Sequence, residues 1–480
     1  MLKAILTLAA FCGFAAESNA QQKWNLQTIV DYAMANNINV KLSDVQAKVA
    51  AVNYTQSKAS KYPNASFSAN TGLSSGNNQD PVTFNRITQT YLSSGLQLQS
   101  SADIFNFYSK RNTIAADKFE AQAALAATDK IRYDIALTAA NAYLQILLSR
   151  AQENITAVQI EQTQAQLTNT RKQVDAGALP ELNASQLEAQ LALDSMNYLT
   201  AKGNTALNLL VLKSYMNIDA AAPFEVDTPP VDKIPVEPIA SLQPDYVYGL
   251  AIKNMPQQRY NDLKMKAAEK TAAAAKGFMY PSLSAYGSLG SNYFVARTPN
   301  YSPVFKGFVP SGDFVTVGGV QYDISTPNFS LEKNGYSRSA AFGTQLTDNF
   351  QQSIGLSINV PIFNGRSLRS NYERSKLNVN TVQLQKEGDD QKLKQDIYQA
   401  YTTALIAYQK FNASQKSVDI NELNLSYAQK RFDVGMLGTF DLITTQNNLL
   451  RSKLEYVQNQ FDYVFKMKVL EFYKGLGLKL

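Results

Sequence analysis

The chain contains no histidine and a single cysteine, Cys12, in 480 residues. The first absence removes the base of a Ser-His-Asp or Cys-His nucleophile, a His-based zinc site and a facial-triad iron. The second removes an intramolecular disulfide, a CxxC redox pair and a four-cysteine metal site. Charge is also sparse, at 18% of residues, and the net excess of +6 is spread without a dense Lys/Arg run, so the footprint of a nucleic-acid binder is missing. Beyond the N-terminus there is no run of about 18 apolar residues, the length a spanning helix needs. Carboxylates, lysines and tyrosines remain available for catalysis, but no paired acids stand apart from the helical faces. The expectation is a protein without catalytic residues, cofactor or metal.

What is present begins with an export signal. Lys3 is a short positive region, Ala4 to Ala16 is apolar, and Ser18-Asn19-Ala20 places small residues at −3 and −1. Residues 1–20 read as a signal peptide cleaved after Ala20. Lipidation at Cys12 is the alternative, disfavoured by the bulk of Phe11 just before it.

The remainder repeats itself. Ile104-Phe105-Asn106 recurs as Ile362-Phe363-Asn364, Ala142-Tyr143 as Ala400-Tyr401, and Asp175-x-Gly177 as Asp433-x-Gly435, all at an offset of 258. Tyr62-Pro63 and Tyr280-Pro281 match at an offset of 218, so the second copy carries an insertion of 40 residues. The organisation is a first repeat over 21–222, a Pro-rich connector over 223–244 and a second repeat over 245–480 with a loop insertion at 297–342. Proline at the density of the connector blocks helix and favours extended chain.

Each copy reads as helix, strand pair, long helix, turn and helix. Ser43 to Lys61 and Asp262 to Gly277 are helical and end at Tyr-Pro. The period then becomes two. Ile354, Leu356, Ile358, Val360 and Ile362 alternate with small or polar residues, as do Leu283, Ala285, Gly287 and Leu289, which predicts strands with one apolar face. From Asn106 to Asp175 and from Asn364 to Asp433 there is no proline. At 1.5 Å per residue each such helix is about 100 Å long, too long for a globular core. Leu393, Ile397, Ala400, Ala404, Ala407 and Phe411 alternate spacings of four and three. Leu442, Leu449, Tyr456, Tyr463 and Leu470 recur every seven, and the first copy echoes this at Leu191, Tyr198 and Leu212. A sustained seven-residue repeat implies left-handed coiled-coil packing. An exported trimeric coiled-coil adhesin or stalk without a pore would satisfy the helices alone. Four strands cannot close a barrel, for which eight is about the smallest number, so the strands call for protomers sharing one barrel.

In these features the sequence resembles the TolC-like outer membrane efflux proteins over essentially the whole mature chain. The residues that carry the resemblance are Trp24-Asn-Leu26 with Ala33-x-Ala35-Asn36-Asn37, its partner Ala251-Ile-Lys-Asn254, and the Tyr-Pro before each first strand. Pro361-Ile362-Phe363-Asn364-Gly365 and the turns at Gly177 and Gly435 complete it. The resemblance implies a mixed α and β fold: four strands per chain in a trimeric twelve-stranded outer-membrane β-barrel, continued by a long α-helical coiled-coil periplasmic tunnel. It implies a homotrimer in outer-membrane lipid that works with a periplasmic adaptor (membrane fusion) protein and an inner-membrane transporter. The function expected is a passive channel, the exit duct of a tripartite efflux pump or type I secretion system.

The resemblance also assigns roles to residues. The helix-to-helix turns would form the periplasmic tip, with Gly177, Leu179, Gly435 and Leu437 as adaptor contacts; the plainer alternative is that these turns only stop helices. Asp441 matches the first acidic residue of the family's pore constriction, Thr444 stands where a second would be, and Asn183 holds the equivalent place in the first copy. This sequence therefore departs from the family by offering one carboxylate ring rather than two. Asp441 could equally serve only its helix N-terminus. Ile354, Leu356, Ile358 and Val360 are expected to face lipid, and the insertion to be an outward loop. Two motifs are set aside. Gly72-Leu-Ser74-Ser-Gly76 fits GxSxG but lacks a histidine base, and Glu387-Gly-Asp389-Asp390 reads as a solvated helix break.

Overall fold

The computed structural model describes residues 24–80, 82–231 and 234–476. The expected signal peptide and Cys12 lie outside them. The elements run α1 (Leu26–Asn36), α2 (Ile38–Ala59), β1 (Asn64–Gln79), β2 (Arg86–Phe105), α3 (Ser109–Asp175) and α4 (Glu181–Met216). After the connector come α5 (Pro244–Asn254), α6 (Pro256–Gly277), β3 (Ser282–Ala296), β4 (Pro299–Val317), β5 (Val320–Tyr336), α7 (Phe342–Asp348), β6 (Gln351–Asn359), α8 (Ser367–Asp433) and α9 (Thr439–Phe472). The chain forms two compact units. One runs through Thr55, Ala115–Ala272 and from Arg374 on; the other comprises Gln56–Ile114 and Ala273–Glu373. Each unit draws on both sequence repeats.

The second unit is built on a four-stranded antiparallel sheet in the order β1-β2-β3-β6, so β1 and β6 are open edges. Its register gathers the apolar residues on one face. Phe67 pairs with Leu98 and Leu98 with Leu289; Ala285 pairs with Leu356, and Leu283 with Ile358. The opposite face carries Ser66 opposite Gln99, Ser68 opposite Gln97, and Ser284 opposite Ser357. The period-two alternation thus becomes one apolar and one polar surface, as pleated geometry demands. Ile354, Leu356 and Ile358 lie on β6 and are 92%, 67% and 71% exposed. Val360, expected on the same strand, falls beyond its last residue. Pro361 has no N–H to continue the ladder and fixes the chain just after Val360.

The insertion is not an irregular loop. It forms the two-stranded ribbon β4–β5, closed by Gly318-Gly319 and followed by the short helix α7. Helix α7 lies where β6 stops short along β3. The Gln345 side chain accepts the Phe294 N–H at 2.9 Å, the Asn349 amide donates to the Asn292 carbonyl at 2.7 Å, and the Ser291 hydroxyl donates to the Leu346 carbonyl at 2.8 Å. These bonds satisfy backbone groups that an exposed edge would leave open.

The first unit is helical. Helices α3 and α8 have 67 residues each. Gly388 was expected to break α8 and does not. On either side of it the helix is held to α6, by the Lys386–Asp262 ion pair at 2.5 Å and by the Gln257 and Asn261 amides donating to Asp389 at 3.1 and 3.0 Å. These contacts offset the roughly 1 kcal/mol that glycine costs inside a helix. Ile397, Ala400, Ala404 and Ala407 are buried as the spacing predicts, and Phe411 stacks on Tyr456 and Tyr463 of α9 at 5.5 and 5.9 Å. Of the residues expected on the α4 seam, Leu212 is buried, but Leu191 and Tyr198 are half-buried and the buried line runs instead through Leu187, Gln190, Asp194, Ala201 and Thr205. The polar residues can sit there because Gln190 donates to Asp194 at 2.8 Å and the Thr205 hydroxyl donates to the Ala201 carbonyl at 3.2 Å.

The connector is docked along both long helices. Tyr143, 1% exposed, donates its hydroxyl to the Asp227 carbonyl at 2.9 Å, and Arg150 donates to the Val226 carbonyl at 3.0 Å. The Gln243 amide donates to the hydroxyl of Tyr401, the repeat partner of Tyr143, at 3.3 Å. The last connector residue, Pro244, opens α5, where its missing N–H costs nothing.

Candidate functional site

The two helical turns share one backbone design. Each long helix ends in Asp and then reverses at a glycine with positive φ, 73° at Gly177 and 74° at Gly435. The Ala178 N–H donates to the Gln173 carbonyl and the Met436 N–H to the Arg431 carbonyl, both at 2.8 Å. The Gly177 and Gly435 N–H groups reach Val174 and Phe432 at 2.8 and 2.9 Å. This six-to-one closure is the glycine-capped helix end, and a Cβ at that φ would be strained.

The side chains around the turns differ. In the first, Arg171 is paired with both Glu181 and Glu188. Its guanidinium is raised above its ordinary pKa chiefly by the Glu181 hydrogen bond. The equivalent positions of the second turn, at the offset of 258, are Gln429, Thr439 and Gln446. The Gln429 amide donates to Asp433 at 2.9 Å, the Gln446 amide donates to the Gln166 side-chain oxygen at 2.6 Å, and the buried Thr439 hydroxyl has no hydrogen-bond partner among the described residues. The turns enclose a cleft of about 720 Å³ lined by Leu179, Asn183, Leu437 and Thr439 among others.

The structure therefore separates the expected site residues. Leu179, Leu437 and Asn183 are half-buried in the cleft, Gly435 lines it but is exposed, and Gly177 is exposed outside its lining. Asp441 lies exposed in the first turn of α9, and Thr444, one turn on, is exposed with its hydroxyl donating to the Phe440 carbonyl at 2.8 Å. Sequence reasoning missed the apolar residues that the turns present outward. Val434, Met436 and Phe440 are 68%, 69% and 68% exposed, and Leu182 is 64% exposed. The signal was their place beside Gly435 and in the first turns of the return helices, off the heptad seam.

A second missed feature is a polar rung above the turns. Asp194, 1% exposed, accepts from the Thr163 hydroxyl at 2.7 Å and the Gln190 amide at 2.8 Å. Gln190 and Asn447 exchange two amide bonds, each of 3.1 Å, linking α4 to α9. Buried polar groups partnered in this way fix helix register where a purely apolar seam would slide.

Among the described residues no helix is long and apolar enough to cross a membrane, and no three acidic residues converge on a metal-sized site.

Comparison with known proteins agrees with this geometry. The family model of outer membrane efflux proteins matches residues 29–217 and 319–470. The chain is 20% identical to the probable efflux pump outer membrane protein TtgC of Pseudomonas putida, covering 95% of this chain and 85% of that one. The outer membrane efflux protein BepC of Brucella suis is 24% identical over 138 residues, a match that spans about 30% of that protein. Among solved structures, the Campylobacter jejuni CmeC outer membrane channel superposes with a TM-score of 0.71 at 18% identity, covering 95% of this chain and 87% of that one. The Vibrio cholerae outer membrane protein VceC superposes with a TM-score of 0.71 at 17% identity, covering 94% and 96%. Four amphipathic strands with two open edges, two 67-residue helices and glycine-capped turns at a fixed repeat offset are features of one fold, and the chain belongs to the outer membrane efflux protein family.

Proposed function

We propose that three copies of this chain form a passive outer-membrane duct through which an inner-membrane transporter, coupled by a periplasmic adaptor, expels its cargo. The observation that carries this reading is the sheet. It has an apolar face, a polar face and two unpaired edges, β1 and β6, so closure with neighbouring copies satisfies the edge groups and yields a lipid-facing wall around a wet lumen. A coiled-coil stalk has no use for such a sheet. On this reading Ile354, Leu356 and Ile358 meet lipid, and the helical turns form the periplasmic tip. The adaptor would contact the exposed apolar residues there together with Gly177 and Gly435. Asp441, exposed on the first turn of α9, would contribute to a ring of three carboxylates at the constriction, attractive to cations and repulsive to anions.

The experiment is fractionation followed by gel analysis. The chain should sediment with outer membranes and migrate as a heat-modifiable trimer in mild detergent, and that trimer should conduct in planar bilayers. Recovery as a soluble periplasmic monomer would rule the duct out.

A further inference from the structure

The ribbon β4–β5 is the part of the molecule least used by the duct. It continues from the C-terminal end of β3, the strand that begins just after α6 and leaves for the ribbon at Ala296. Its base is tied down. The Tyr301 hydroxyl donates to Asp80 Oδ2 at 2.7 Å, and Asp80 Oδ1 also accepts the N–H groups of Val82 and Thr83 at 2.9 and 3.2 Å, in the turn between β1 and β2. The Gln89 amide donates to the Thr298 hydroxyl at 3.3 Å. Beyond its base the ribbon exposes large apolar side chains, an arrangement that signals a missing partner.

The pairing register sorts them. Residues opposite each other in an antiparallel pair point the same way. In the distal half Val317 pairs with Val320 and Val315 with Tyr322, and Ile324 follows on the same face. These five are 61%, 56%, 49%, 56% and 41% exposed. The opposite face of the same half carries Thr316 with Gln321 and Phe314 with Asp323. In the proximal half the apolar side is the other one, with Phe305 opposite Phe329 and Phe308 opposite Pro327. Bulges between Phe305 and Phe308 and between Pro310 and Phe314 accompany this exchange. Gly318 and Gly319, with φ of 62° and 87°, close a tight two-residue turn that matches ribbon twist, so the distal faces are held in register to the tip.

None of these five residues is charged; Asp323 stands on the reverse, and Asp313 falls in the bulge between Pro310 and Phe314, outside the paired register. On a threefold axis any charge is repeated three times at short range, so a face built to meet its own copies must be free of charge. A face wetted by solvent has no such need, and one facing lipid would be expected on the membrane-proximal half. We propose that the distal faces of the three ribbons, through Val315, Val317, Val320, Tyr322 and Ile324, pack on one another at the trimer axis and cap the outer mouth of the barrel. The occupant of each face is a second copy of the same chain. This inference rests on the trimeric barrel proposed above.

The test uses the membrane-embedded trimer and copper-phenanthroline as oxidant. Tyr322→Cys should give a disulfide-linked dimer on denaturing gels, because three thiols on an axis yield one bond and leave one thiol over. Gln321→Cys, on the reverse face, should stay monomeric. Replacing Tyr322 and Ile324 together by Glu should part the ribbons and raise single-channel conductance. An intact heat-modifiable trimer in which Tyr322→Cys does not link, links no better than Gln321→Cys, or reacts freely with a water-soluble maleimide overturns the cap while leaving the barrel standing. Absence of the trimer itself overturns both, and the unoxidised gel tells the two failures apart.

Discussion

Asp441 and Asn183 occupy equivalent places 258 residues apart, yet one is an exposed carboxylate and the other a half-buried amide inside the cleft between the turns. If Asp441 lines the constriction, its charge dominates conductance at low salt, where screening is weak. Asp441→Asn keeps the size and removes the charge, so single-channel recordings should show weaker cation selectivity and several-fold weaker block by divalent or hexammine cations. Asn183→Ala should do much less. Unchanged selectivity and block in a channel that still forms would reduce Asp441 to a helix-start residue. A second residue-scale effect belongs to Tyr143. Burial, followed by the nearby Asp227 charge, pushes its hydroxyl up to about 12 from 10.0. Between those values the unfolded chain has lost the proton that the folded chain keeps. Stability therefore falls as pH rises from 10 toward 12, by about 2–3 kcal/mol in all. Thermal melts followed by helical circular dichroism should drop over that range, and Tyr143→Phe should flatten the drop relative to the parent. Equal slopes in both proteins would mean that Tyr143 does not hold its proton. Asp194 shows why such sites are hard to read from sequence: a carboxylate on a helix normally faces water, and only the partners Thr163 and Gln190 make its burial tolerable.

Among elements, β6 offers the sharpest test of orientation. Leu356→Arg places a charge on the apolar face and should cost about 2–4 kcal/mol if that face meets the bilayer midplane. The trimer yield in outer membranes should fall accordingly. Val360→Arg, beyond the strand end, should be tolerated better. Undiminished assembly of Leu356→Arg would turn the sheet the other way round. The long helices were legible because an uninterrupted run without proline has few alternatives, and their starts fall within three residues of the expected Asn106 and Asn364. The ribbon was not, because its Gly, Pro, Ser and Asn content mimics loop. In a two-stranded ribbon every strand is an edge, and Pro303, Pro310 and Pro327 can turn their missing donors outward where a central strand could not. The α4 seam was misplaced for a related reason, since polar residues that satisfy one another do not register in an apolar repeat. At the helix-to-helix turns the glycines were legible from their repeat spacing. The outward apolar residues were not, because exposure off the seam leaves no periodic trace.

For the whole molecule, the sequence repeats and the folded units are different divisions. One apolar cluster joins Tyr143, Ile146 and Leu212 from the first repeat to Phe461 and Val464 from the second, and the sheet crosses between repeats where β2 pairs with β3. Neither repeat can bury its core alone. Residues 21–222 or 245–480 expressed singly should be protease-sensitive and absent from the outer membrane, whereas the two halves exported together should recover at least part of the protected, membrane-associated protein. A single half that folds and resists protease would show that the duplication is modular after all. The backbone of the two helix-to-helix turns is nearly the same, with matching φ and matching closure bonds, while the side chains are not: Ala176, Ala178 and Leu182 stand where the other turn has Val434, Met436 and Phe440. In the proposed trimer three chains would carry six turns, so the rim would have pseudo-sixfold symmetry in its backbone and only threefold symmetry in its chemistry. A ring of six identical partner subunits would meet two alternating kinds of contact, one richly apolar and one sparse, and the strong positions would number three.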